Sequence, residues 1–215
     1  MTPMASLVFI LVVVIDLFLL ASSRLGAAIR IVAIQGALLG ALPILLLHER
    51  HSLGHALLLA GGALAIKGLF IPWMMFRAIR EASIRREMEP IVGFVPSMVL
   101  GGIGVALAFA FAARLPLPNG EAHAYLVPTA LSTVWAGLLL VVSRRKAVNQ
   151  VLGFLVLENG VFVFGLLISD FMPIMVEAGV LLDLFAAVFV MGIVMFHINR
   201  EFSSLDTEKL SALKD

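Results

Sequence analysis

The chain has 215 residues, 61% of them hydrophobic and 13% charged, with a mean hydropathy of +1.09 and a formal net charge of +1. A soluble domain carries about 45–50% apolar and about 25% charged residues, and no water-soluble fold hides so much apolar surface, so that class is excluded. The absence of cysteine excludes disulfides, thiolate-held iron–sulfur clusters and a cysteine nucleophile, and the small net charge argues against a nucleic-acid partner.

A helix crossing the bilayer needs about 20 mostly apolar residues. Such runs occur at 3–22, 27–47, 53–76, 91–113, 125–142, 151–168 and 174–197, which predicts an all-α polytopic membrane protein of about seven transmembrane helices. No Lys or Arg precedes the first run, so it is expected to be a retained helix and not a cleaved signal peptide. Its inner half carries Asp16. After the second run, His48, His51 and His55 share a helical face that could offer imidazoles to a metal, but only Glu49 accompanies them at the outer surface.

The third run holds Lys67 among Gly61, Gly62, Gly68 and Pro72, a composition that predicts local irregularity where a charge can be accommodated. The stretch 77–90 mixes Arg77, Arg80, Arg85 and Arg86 with Glu81, Glu87 and Glu89, and predicts a short cytoplasmic helix ended by Pro90. It reads as a solvated connector or as a docking surface for a soluble partner, and the tail 203–215 divides the same way. Trp73, Tyr125 and Trp135 read as interfacial or packing aromatics, and Glu177 as reaching the outer interface.

Basic residues in short loops set orientation. Twelve of the fifteen lie in odd-numbered loops or the tail, only Arg50 and Arg114 lie in even-numbered loops, and Lys67 is inside a run. This favours N-out, C-in. Runs one to three and five to seven then share a course, and Arg24, Gln35 and Gly40 sit at offsets close to those of Arg144, Leu155 and Gly160. A parallel repeat would give that pattern, as would composition alone.

Asp16, Lys67, Glu158 and Asp183 fall well inside the runs. A charge at the bilayer centre costs about 2.5–3.5 kcal/mol on insertion scales, so each needs a partner, a hydrated cavity or a neutral state. Glu158 is about seven residues past the inner end of the sixth run and Asp183 about nine past the outer end of the seventh, which puts both near mid-membrane. On adjacent antiparallel helices they form a proton-hopping pair, or else two unrelated packing residues. Asp16 and Lys67 read as a structural ion pair, or Lys67 as a functional lysine in a proton path.

The stretch RRKAVNQVLGFLVLENGVFVFGLLI, from Arg144 to Ile168, resembles the second helix of the small three-helix (NuoK-type) subunit of respiratory complex I. With the length, the phrase VLGFLVLENG resembles hydrogenase-4 component E (HyfE-type) of the group 4 energy-converting hydrogenases more closely. Aligning Gly153 and Asn159 puts the first complex I glutamate on Leu155, and Glu158 lies one turn later on about the same face. The second acid is Asp183, with the alignment slipping by a residue or two. Lys67 has no assignable counterpart.

The resemblance implies a four-helix region at 1–113, a NuoK-like three-helix region at 114–200 and a cytoplasmic tail at 201–215. It implies a non-redox subunit, without cofactor, of a hydrogenase-type complex in a bacterial or archaeal cytoplasmic membrane. Antiporter-like membrane subunits, a hydrophilic hydrogenase arm and the lipid bilayer are the expected partners. Glu158, Asp183, Lys67 and Asp16 are the expected proton-relay residues. A scaffold subunit and a stand-alone secondary transporter are the alternatives.

Overall fold

A computed structural model describes residues 3–47, 57, 60–81, 90–115, 121–168 and 192. Its helices are α1 (Pro3–Ala21), α2 (Leu25–Leu47), a π-helical stretch (Leu64–Phe70) running into α3 (Ile71–Glu81), α4 (Phe94–Ala112), α5 (Glu121–Ser143) and α6 (Ala147–Ile168). There is no β-strand among the described residues. Five of these helices, α1, α2, α4, α5 and α6, are long and apolar enough to cross a membrane. They coincide with the runs at 3–22, 27–47, 91–113, 125–142 and 151–168. The run at 174–197, with Asp183 and Glu177, lies outside the described residues except for residue 192.

The third run is irregular where its glycines and Lys67 predict. The wider π turn at Leu64–Phe70 breaks the ordinary hydrogen-bond ladder, and Lys67 sits at its centre. α3 continues to Glu81, past the expected boundary at 76, because Arg77, Ala78, Arg80 and Glu81 are good helix formers that need no lipid around them. Residues 82–89 lie outside the described ones. The chain returns at Pro90, where Ile91 N donates to Ser143 O at 2.8 Å and anchors the entry to α4.

α1 and α2 form a hairpin through Ser22–Arg24, and α5 and α6 another through Arg144–Lys146. The second hairpin is the tightest helix pair. A Cβ on Gly160 would stand 2.6 Å from Val134 N, one on Gly153 would stand 2.6 Å from Val141 N, and one on Gly137 would overlap Leu157 N. Small residues let backbones approach closely in lipid, where dispersion replaces the hydrophobic drive. The outward faces of the helices remain apolar, as on α4 at Val95, Ile103 and Leu107, which suits hydrocarbon and not water.

The interior is layered. One buried apolar cluster joins Leu19, Ile29, Met75, Leu140 and Leu152 at the end bearing the two hairpin loops. A second joins Phe9, Val12, Leu39, Ala130 and Phe162 toward the other end. Between the clusters, each of these helices places a polar residue: Asp16 on α1, Gln35 on α2, Thr133 on α5, and Glu158 and Asn159 on α6. The polar layer lies near mid-helix on α2, α5 and α6 and in the latter half of α1.

Candidate functional site

Each residue of the polar layer is buried, so its hydrogen bonds must come from protein or trapped water. Asp16 satisfies both carboxylate oxygens from neighbouring helices. Gln35 Nε2 donates to Oδ1 at 2.7 Å, and Thr133 Oγ1 donates to Oδ2 at 2.7 Å. The Gln35 amide oxygen accepts from Asn159 Nδ2 at 3.2 Å. Asn159 Oδ1 in turn accepts from Lys67 Nζ at 3.2 Å. A single row of hydrogen bonds thus runs Thr133, Asp16, Gln35, Asn159, Lys67, drawing on five segments of the chain.

Lys67 reaches this row because two local features bring it inward. The π turn directs its side chain to the interior. Gly36 lets α2 come up against it, since a Cβ there would stand 2.9 Å from Lys67 Cβ and 3.3 Å from its carbonyl oxygen. The ammonium also lies 4.9 Å from the centroid of the Phe162 ring, a favourable cation–π geometry. Between α2, the third segment and α6 is a small cavity lined by Lys67, Glu158 and Asn159, with Ile29, Pro72 and Leu155 among its apolar walls. Its free space, about 10 Å³, is on the scale of one water site. Glu158, eleven residues into the 22-residue α6, therefore shares a cavity with Lys67 near the middle of the helix.

The structure brings together Asp16, Lys67 and Glu158, three of the four residues expected from sequence. The fourth, Asp183, lies outside the described residues, as do His48, His51, His55 and Glu177. A direct Asp16–Lys67 ion pair is corrected. The bonds leading from Asp16 reach Lys67 through Gln35 and Asn159, because the α2 and α6 side chains project into the space between α1 and the third segment. Sequence reasoning missed Gln35, Thr133 and Asn159 as members of the site. The available signal was an amide or hydroxyl at mid-run in an apolar helix, where an unpartnered polar group is costly. Among the described residues no cluster of His, Asp and Glu is placed to hold a metal.

Arg144 lies in the loop between α5 and α6, where its sequence position puts it. Counted by sequence as one of several loop cations, it is fully buried. Its guanidinium donates to Leu20 O at 2.7 Å and to Val92 O at 3.4 Å, and lies 4.7 Å from the Phe94 ring centroid. Leu20 belongs to the last turn of α1, whose carbonyls have no intrahelical donor, so the arginine caps that helix. Burial pulls its pKa below the usual arginine range, although arginine keeps its charge in proteins.

Comparison with known proteins places this chain in a family. A family model described as NADH-ubiquinone/plastoquinone oxidoreductase chain 4L matches residues 124–215. Hydrogenase-4 component E of Escherichia coli is 30% identical over 161 residues, covering 74% of this chain and 73% of that protein. The chain belongs to the hydrogenase-4 component E family. The component E of Shigella flexneri matches to the same extent, and an uncharacterized protein of Mycobacterium tuberculosis is 36% identical over 195 residues, 89% of this chain and 87% of its own. No solved structure matches. In this component E relative, Thr133, Glu158 and Asn159 lie within the region matched by the chain 4L family, whereas Asp16, Gln35 and Lys67 lie before it. The hydrogen-bonded row therefore joins the two parts of the chain.

Proposed function

We propose that this chain is a membrane subunit, without redox centres of its own, of a complex I-like, hydrogenase-type assembly. Its mid-membrane polar layer carries protons, or sodium ions, in step with electron transfer elsewhere in the complex. The observation that supports this most is the buried row of side chains from Asp16 to Lys67 with Glu158 beside it across a small cavity. Ionisable groups in hydrocarbon are costly and are found where ions pass.

In this reading Glu158 is the titrating group, Lys67 its neighbour across the cavity, Asp183 a second carboxylate in the following apolar run, and Asp16 the anion at the far end of the row. Seven spans, N-out and C-in, in a bacterial or archaeal cytoplasmic membrane complete it, supported by the twelve-to-two distribution of loop and tail basic residues. The name of the Escherichia coli relative makes it a component of a hydrogenase, and the corresponding neighbours here would be antiporter-like subunits and a hydrophilic hydrogenase arm. The test is Glu158→Gln in the intact complex, which removes the titrating group and keeps the shape. Ions moved per electron should fall while electron transfer continues. An unchanged ratio refutes the reading.

One observation favours a scaffold role instead. Both oxygens of Asp16 are filled by neutral donors from α2 and α5, an arrangement that also glues three helices. A scaffold predicts that Glu158→Gln depletes the assembled complex on native gels as much as it depletes transport.

A further inference from the structure

The row of hydrogen bonds has a direction. An Asp16 carboxylate only accepts and a Lys67 ammonium only donates. The groups between them are two amides, each with a donor end and an acceptor end. Gln35 must turn its nitrogen to Asp16 and its oxygen to Asn159, and Asn159 must turn its nitrogen to Gln35 and its oxygen to Lys67. This is the arrangement found, at 2.7, 3.2 and 3.2 Å. Turning both amides over would face donor to donor at Lys67 and acceptor to acceptor at Asp16. The two charged ends therefore fix the amides, and the amides fix the ammonium.

A carboxamide orients a neighbour well and conducts protons poorly. Its N–H is a very weak acid and its oxygen a very weak base, and passing a proton through it would leave the imidic acid tautomer behind. A carboxylate, an amine or a water in the same place would conduct.

We infer that Gln35 and Asn159 are positioning residues that aim the Lys67 ammonium while insulating Asp16 from the ion route. The proton passes instead on the other side of Lys67, at the cavity it shares with Glu158. There a Lys67 N–H bond breaks, its electron pair stays on nitrogen, and an O–H bond forms on the Glu158 carboxylate, directly or through one water. The products are a neutral amine and a neutral acid. This inference rests on the ion-carrying function proposed above, with H⁺ as the ion. Asp16 then acts through the amides as the anchor of the row and is itself a positioning residue.

The experiment uses the whole complex in sealed membrane vesicles, with three variants of this chain: Glu158→Gln, Asp16→Asn and Asn159→Leu. Proton uptake per electron, turnover per assembled complex and the solvent deuterium isotope effect on turnover are measured for each. Asp16→Asn is expected to keep the wild-type ratio of protons to electrons, with turnover per complex lowered about fivefold, the factor that the net worth of one hydrogen bond represents. The isotope effect should rise as the misaimed lysine makes proton transfer limiting. Asn159→Leu leaves Asp16 with both its donors, and the same result is expected, so it answers the question where Asp16→Asn does not assemble. A ratio that collapses in Asp16→Asn or Asn159→Leu, as in Glu158→Gln, overturns the inference, because the amide row would then be on the route. Wild-type turnover and isotope effect in those two variants, with fewer complexes assembled, overturns it as well, because the row would then only hold helices together. An unchanged ratio in Glu158→Gln removes the proposed function itself and is distinguishable from both.

Discussion

Replacing Arg144 tests whether its position in the fold or its charge matters. In Arg144→Leu the Leu20 carbonyl loses a donor at 2.7 Å, the Val92 carbonyl loses one at 3.4 Å, and the Phe94 ring loses a cation at 4.7 Å. A hydrogen bond to a charged group is worth about 1.5–3 kcal/mol, a cation–π contact about 0.5–2 kcal/mol, and an orphaned buried carbonyl adds about 1–3 kcal/mol. Against these stands the desolvation of the guanidinium, which disappears with the side chain. A net loss of about 2–4 kcal/mol follows, or roughly 4–16 °C in melting temperature for a chain of this size. Arg145→Leu is the matched control, since Arg145 is exposed in the same loop and removes the same charge. Thermal unfolding of each variant in mild detergent measures the difference. Arg144→Lys should fall between, because a point ammonium cannot span both carbonyls and stack on the ring. Equal melting temperatures for Arg144→Leu and Arg145→Leu would refute the capping argument and return Arg144 to the role of an ordinary loop cation.

Two glycine substitutions test the packing. Gly160→Val places methyl groups against Val134 N and the Ala130 carbonyl and should destabilise the α5–α6 hairpin by about 1–3 kcal/mol, whereas Gly165→Val, with nothing among the described residues near its Cβ, should melt close to wild type. Gly36→Ala pushes on Lys67 Cβ and should lower turnover per assembled complex, while Gly62→Ala, whose Cβ meets nothing among the described residues, should not. The readouts are melting temperature for the first pair and coupled turnover for the second.

The span pattern was legible because lipid imposes one requirement on every exposed position. Apolar runs of bilayer length at 3–22, 91–113 and 151–168 become α1, α4 and α6 with ends shifted by a few residues. The irregularity around Lys67 was also legible, since several helix-weakening residues cluster there. Helix ends were less so. α6 begins at Ala147 and α3 runs to Glu81, because helices continue through polar residues once nucleated.

The site was legible in its ionisable members and obscure in its neutral ones. Asp16, Lys67 and Glu158 announce themselves by the cost of a charge in hydrocarbon. Gln35, Thr133 and Asn159 carry no such signal in a linear chain, where an amide or hydroxyl in an apolar helix is compatible with many partners.

What the sequence determines alone is therefore the solvent in which the chain folds and the identity of the charges it must shelter there, since both follow from transfer energies summed residue by residue. Which side chains do the sheltering depends on approach distances between helices remote in sequence, set by Gly36, Gly137, Gly153 and Gly160. Only the tertiary structure decides that Asp16 and Lys67 meet through two amides and that Arg144 faces inward. Hydrogen bonds act over about 3 Å, and no property of a linear chain fixes distances that short across five segments.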